Sequence, residues 1–276
     1  MISVAARRYT GPALRPALFL FALVWLPVTL LVGCRSQSPL HQFEGTALET
    51  GYHITLYADL DDGARELLKA GIQGELVSLE QDLALWLVPL RQALGALSPG
   101  TEAADEPLAD VLLQMTRALA VDRLDALLES HGIEHAMLEL GGVVRTRGQA
   151  GGRPWRLALD RPGLPGEGAP GLRLGDAALV HLDAKTAVLQ QEQAIVGGEP
   201  EEQPSASRLL TVSVVAPTAV EADHQARELM AAGPDAVAQA ADRPVRIVVL
   251  TSQGIEIHHG SALEAYLEES PKGEHT

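Results

Sequence analysis

The stretch Val212–Pro234, VSVVAPTAVEADHQARELMAAGP, reads as a strand, a tight turn and a helix. Val212, Val214 and Val215 are β-branched and suit a buried strand. Pro217 stops it. Thr218 stands three residues before Glu221, the spacing of a capping box in which each side chain satisfies a free backbone N–H at the helix start. Gly233 followed by Pro234 marks the helix end. Asp223 lies in the first turns, where the positive end of the helix dipole favours a carboxylate. Arg227 follows it by four residues, an ion-pair spacing that contributes roughly 0.3–0.5 kcal/mol when exposed.

Upstream, Ala136 to Asp160 reads as a strand, a Gly141-Gly142 turn and a second strand, with a third strand suggested by the alternation Trp155, Leu157, Leu159. Gly141 and Gly142 can take positive φ, which serves either an ordinary hairpin turn or a close approach of a ligand to bare backbone. Two amphipathic helices precede them. Leu68, Ile72, Leu76, Leu79, Leu83, Leu87, Leu90 and Leu94 form an apolar face over Gly63 to about Ala96, with a break or kink expected at Gly71, Gly74 and Pro89. Val111, Leu112, Met115, Leu119, Leu124, Leu127 and Leu128 form another over Asp110 to Glu129. Tyr52, Ile54 and Leu56 mark a strand ending at Tyr57. Ala178–Leu182 and Lys185–Leu189 suggest a hairpin about Asp183-Ala184, and Val245–Thr251 with Ile255–His258 suggests another. Ser261 and Glu264 have the spacing of a capping box for a last helix ending near Glu269.

The chain has 276 residues, 46% hydrophobic but only 4% aromatic, so leucine, valine and alanine must fill its core. The formal net charge is −15, and residues 1–33, which carry three arginines and no acid, leave −18 for the remainder. Such a chain lacks the clustered Lys and Arg that nucleic acid requires, so no nucleic-acid partner is expected. Arg7 and Arg8 precede an apolar run from Ala17 to Gly33 that ends Leu31-Val32-Gly33-Cys34. A charged start, a short apolar run and a cysteine after small or aliphatic residues read as a lipoprotein signal peptide over residues 1–33, with Cys34 lipidated. Pro27 and the run's length count against a spanning helix. The expected organisation is that signal peptide, a tether at 34–42, a single domain at 43–269 and a disordered tail at 270–276. The protein would face the periplasm or cell exterior of a bacterium, held to the membrane by its lipid.

The segment Ala216, Pro217, Thr218, Ala219, Glu221, Ala222, Asp223 resembles the last motif of the FAD:protein FMN transferases, the ApbE-type lipoproteins. AMLELGGVVRTRG at 136–148 is similar to that family's strand, Gly-Gly turn and strand, and Pro154-Trp155-Arg156 to the strand that follows. Ala120-Val121-Asp122 matches the end of its A-K-G-Y-A-V-D motif, and Gly45, Thr46, Thr50 and Tyr52 match its first motif. The resemblance implies an α+β fold, a sandwich of mixed or antiparallel sheet with packed helices, related to the T-fold and here shortened. It further implies FAD as flavin donor and Mg2+, with Gly141 and Gly142 cradling the cofactor, Asp122 lining its pocket and Asp223 binding the metal. The implied partner is a flavin-acceptor membrane electron-transfer protein that receives FMN on a threonine.

The chain departs from that pattern at several places. Arg227 stands where the family has a metal-binding threonine, Leu48 and Glu49 replace a methionine and a glycine, and Val143 follows the Gly-Gly pair. SPGTEAADEP at 98–107 stands where the family has a cofactor-enclosing region, and no His–Asp-Pro segment follows His181, which itself suits a surface or strand-edge position better than a ligand. Two functions therefore enter: an FMN transferase, and an inactive ApbE-like lipoprotein serving as a binding module. In the second, the Arg227 guanidinium would sit where the metal otherwise lies.

Overall fold

The computed structural model describes residues 38–97, 105–159, 171–184 and 207–268. Cys34, the signal peptide and the tail from 270 lie outside these residues. In chain order the elements are β1 (Leu40–Ala47), β2 (Thr50–Tyr57), α1 (Asp62–Leu97), α2 (Asp105–Ser130), β3 (Ala136–Leu140), β4 (Val143–Arg147), β5 (Trp155–Ala158), β6 (Gly171–Leu174) and β7 (Ala177–Asp183). After them come β8 (Arg208–Ala216), α3 (Ala219–Ala232), α4 (Ala236–Gln239), β9 (Val245–Thr251) and β10 (Gly254–His259), with a 3-10 helix over Ser261–Tyr266. Eight strands form one sheet in the order β1-β2-β3-β4-β7-β8-β9-β10, and every neighbouring pair is antiparallel. β5 and β6 form a separate hairpin. This is the α+β architecture expected, with an antiparallel sheet.

The period of two along each strand sorts side chains between two cores. Ile54, Leu138, Val143, Val180, Val212, Val214, Val245 and Ile247 point to one face and pack with Leu68, Ile72, Leu76 and Leu79 of α1, with Leu124 and Leu128 of α2, and with Ala222, Ala226 and Leu229 of α3. Leu179 and Val215 point to the other face, where Leu172 and Leu174 of β6 and Leu263 of the 3-10 helix cover them. The second core is small, and the helices carry most of the burial. No helix among the described residues is long and apolar enough to cross a membrane.

Several expectations change. α1 runs unbroken for 36 residues through Gly71, Gly74 and Pro89. Each glycine costs a helix only about 1 kcal/mol relative to alanine, and packing along the apolar face outweighs that. Met115 and Leu119 of α2 are exposed rather than part of the core. β7 pairs with β4 over Ala177–Val180 and with β8 over Ala178–Asp183; the second strand of the hairpin expected about Asp183-Ala184, at 185–189, lies outside the described residues. At the C-terminal end, Ser261 does not cap an α-helix. The 3-10 helix takes its N-cap from Gly260 and has no side-chain cap bond.

Candidate functional site

The corner between β8 and α3 is built as its residues dictate. Thr218 is extended, with φ −129° and ψ 157°, and its Oγ1 accepts the Glu221 N–H at 3.2 Å. The reciprocal half of the capping box is replaced, since the Glu221 carboxylate accepts from Gln225 Nε2 at 3.2 Å. The remaining free donors of the helix start go to α2. Asp122 Oδ1 accepts the Ala219 N–H at 2.8 Å and Oδ2 accepts the Val220 N–H at 2.9 Å. A helix N-terminus with unsatisfied N–H groups is a ready anion site. Here the first three helical donors are satisfied by the protein itself.

One turn along α2, Asp125 is buried and takes three donors. Arg145 Nε lies 3.1 Å from its Oδ2, Arg147 Nε 2.8 Å from Oδ1 and Arg147 Nη2 2.9 Å from Oδ2. Arg147 also reaches Glu129 Oε2 at 3.0 Å. Hydrogen bonds donated to Asp125 foremost, with those to Glu129, hold the Arg147 pKa above its ordinary value. Arg145 Nη1 donates onward to the Pro217 carbonyl. So α2 grips the corner twice, through Asp122 on the helix N–H groups and through Asp125 and Arg145 on the residue before the cap. The sequence reading missed this cluster. Its one signal is an acid set among Leu124, Leu127 and Leu128, where burial obliges a carboxylate to find a cation.

Asp223 is also buried. Its Oδ2 accepts from Arg227 Nε at 2.7 Å and its Oδ1 from Arg227 Nη2 at 3.0 Å, a bidentate fork. The pair is not the exposed one expected from spacing, because the Asp223 side chain is only 4% exposed and that of Arg227 24%. Both carboxylate oxygens that would face a metal are thus engaged by guanidinium. Among the described residues no three His, Cys, Asp or Glu side chains converge on a point that could hold a metal ion. The residues present do not fit magnesium at Asp223.

Gly141 and Gly142 form the two-residue turn between β3 and β4, with φ +56° and +83°, the left-handed values that favour glycine. The side of Gly141 where a Cβ would lie is filled. An added Cβ would stand 2.9 Å from Arg117 Cδ and 2.9 Å from Thr50 Cγ2, and one on Gly142 would stand 3.3 Å from the His181 carbonyl oxygen. Arg117 is fixed there by its Nε and Nη2 donating to the Leu48 carbonyl at 3.0 and 2.8 Å and by Nη1 donating to Gln114 Oε1 at 2.7 Å. Burial lowers the Arg117 pKa, against the opposing pull of Glu49 and Asp110. Leu48 and Glu49 take positive φ, 49° and 61°, without being glycine. The turn is held by Arg117 on one side and by Glu80 Oε1 accepting the Leu48 N–H at 2.7 Å on the other. The backbone that a flavin would approach at Gly141 is therefore covered by Arg117 and Thr50.

His181 lies on a central strand rather than at the sheet edge, with its side chain partly exposed at the surface. Its Nδ1 is 2.9 Å from Ser213 Oγ on β8 and its Nε2 3.4 Å from Asp183 Oδ1. An open cavity of about 350 Å³ is lined by Gly148, Gln149, Pro154, Arg173, Gly175, Asp176 and Ala265, and by none of Asp122, Gly141, Gly142 or Asp223.

A long antiparallel sheet with helices on one face is also the fold of solved ApbE proteins. The ApbE family model matches residues 115–250, which include both the Gly-Gly turn and the β8–α3 corner. The FAD:protein FMN transferase of Vibrio cholerae is 27% identical over 164 residues, covering 56% of this chain and 49% of that protein. That of Escherichia coli K12 is 28% identical over 145 residues, covering 49% and 40%. The chain thus spans half or less of the length of these relatives. Among solved structures, the flavin transferase ApbE from Vibrio cholerae aligns with a TM-score of 0.58 at 19% identity, over 83% of this chain and 100% of that one. The apo flavinyl transferase ApbE of Pseudomonas stutzeri aligns with a TM-score of 0.60 at 16% identity, over 86% and 100%. The chain thus resembles the ApbE family over residues 115–250 and shares the fold of its solved structures.

Proposed function

We propose that this chain is a flavin transferase that moves FMN from FAD onto a threonine hydroxyl of a partner protein. The observation that carries this reading is the match over residues 115–250 to a family whose relatives are named FAD:protein FMN transferase. In such a step the hydroxyl oxygen bonds to the FMN phosphorus, the phosphorus–oxygen bond to AMP breaks, and the hydroxyl proton leaves with the AMP or to solvent. The acceptor would be a membrane electron-transfer protein. Cys34 lipidation would hold the transferase to the same membrane, facing the periplasm or cell exterior. Magnesium belongs to this chemistry in the family, but no step is assigned to it here, because Asp223 is already paired with Arg227.

That pair favours a second reading, an inactive ApbE-like lipoprotein that acts as a binding module. One experiment separates the two. Full-length protein in detergent is incubated with FAD, Mg2+ and a flavin-acceptor domain, and the acceptor is examined for covalent flavin fluorescence after denaturing electrophoresis. Labelled acceptor supports transfer. Unlabelled acceptor, beside a relative that labels it under the same conditions, supports the binding module.

A further inference from the structure

We infer that this chain supplies its own fixed cations at the β8–α3 corner in place of a divalent ion, so that any flavin nucleotide it takes is bound without a metal at Asp223. Among the described residues four carboxylates lie at this corner; exposed Glu221 accepts from Gln225 Nε2, and the other three are matched by helix N–H groups or arginine. Asp122 accepts two helix N–H groups, Asp125 accepts from Arg145 and Arg147, and Asp223 accepts both arms of the Arg227 fork. Magnesium demands near-octahedral oxygen ligands at about 2.0–2.1 Å and keeps several waters. At Asp223 an entering ion would meet a guanidinium 2.7 Å from one oxygen and 3.0 Å from the other. It would have to displace that group or share one carboxylate with it, in a place where the acid's side chain is 4% exposed and like charges are poorly screened. Among the described residues Asp122 and Asp125 are held by their own partners, and no three His, Cys, Asp or Glu side chains converge to repay the displacement.

Arg227 also fits the positive role. Nε and Nη2 hold Asp223, and the side chain keeps 24% of its surface exposed, so the guanidinium remains in contact with solvent while its position is fixed. A planar, preorganised guanidinium suits a phosphate oxyanion, which is the group a flavin nucleotide would bring. The identity of that ligand rests on the flavin-transferase reading; the exclusion of the metal does not.

The test uses the full-length protein in detergent and two probes, Mn2+ followed by electron paramagnetic resonance and FMN followed by fluorescence quenching. Wild type is expected to leave the free Mn2+ signal unchanged. Arg227→Thr is expected to raise Mn2+ affinity by about tenfold or more, the scale on which single groups around a metal act. Because that variant leaves a buried acid unpaired, Arg227→Lys serves beside it. It keeps a cation but not the fork, and is expected to stay free of Mn2+. Stoichiometric Mn2+ uptake by wild type that Asp223→Asn abolishes overturns the proposal, as does a folded Arg227→Thr with no gain in affinity. FMN binding that is equal in EDTA and in Mg2+ supports it, and binding that requires Mg2+ overturns it. Absence of FMN binding in either buffer overturns the flavin reading beneath it, while the Mn2+ spectra still decide the metal.

Discussion

Asp122 on α2 holds the Ala219 N–H at 2.8 Å across 97 residues of sequence, and with it the start of the helix that carries Asp223. The family resemblance implies a pocket-lining acid at this position. The structure gives its carboxylate a backbone to hold, with both oxygens engaged by helix donors.

Removing that carboxylate leaves two donors of α3 without partners. Asp122→Ala is therefore expected to destabilise the protein by about 0.5–2 kcal/mol, the range for a lost helix cap, since one of the two donors is part-buried and the other exposed. Urea unfolding measures it. A change within a few tenths of a kcal/mol would show that solvent replaces Asp122 without loss.

Gly141 and Gly74 make opposite predictions for the same substitution. Gly141→Ala places a Cβ at positive φ and 2.9 Å from both Arg117 Cδ and Thr50 Cγ2, so it should destabilise by roughly 1–2 kcal/mol for the backbone alone, and more for the displaced arginine. Gly74→Ala meets nothing within 4 Å inside a helix and should stabilise by about 0.5–1 kcal/mol. Thermal unfolding of the two variants beside wild type checks both signs at once.

His259 makes stability depend on pH in a definite sense. Desolvation first, then the charges of Arg246 and His258, hold its pKa below the ordinary 6.5. The unfolded chain consequently binds this proton before the folded one does. The residue's contribution is whole above about pH 6.5 and is lost as pH falls through that value toward the lowered pKa. Tm measured against pH should decline on the acid side of 6.5 less steeply in His259→Gln than in wild type. Identical slopes would remove His259 from the account.

Cys34 carries the proposed anchor. Cys34→Ser is expected to move the protein from the membrane pellet to the soluble fraction and to abolish labelling by a fatty-acid precursor. A variant that stays in the pellet and keeps its label would contradict lipidation at this residue.

What could be read from sequence divides by the range of the interaction that decides it. The strand at Val212, the Thr218 cap and the Gly233 stop depend on neighbours within one helical turn, and all three stand as the residues dictate. The Gly141-Gly142 turn was legible for the same reason. Arg117 over that turn was not, because its partners Leu48 and Gln114 meet it only after β2 and α2 pack. The Leu48-Glu49 turn went unread because neither residue favours positive φ, and only Glu80 and Arg117 hold it there. At Asp223 the spacing to Arg227 gave the pair, but not its burial, which comes from the packing of α3 on the sheet and on α2.

The most direct measurement is anomalous diffraction from crystals grown with Mn2+. The account predicts no anomalous peak at the corner and an Asp223–Arg227 fork intact in the electron density. A peak within about 2.2 Å of an Asp223 oxygen, with the Arg227 side chain swung away, would contradict it.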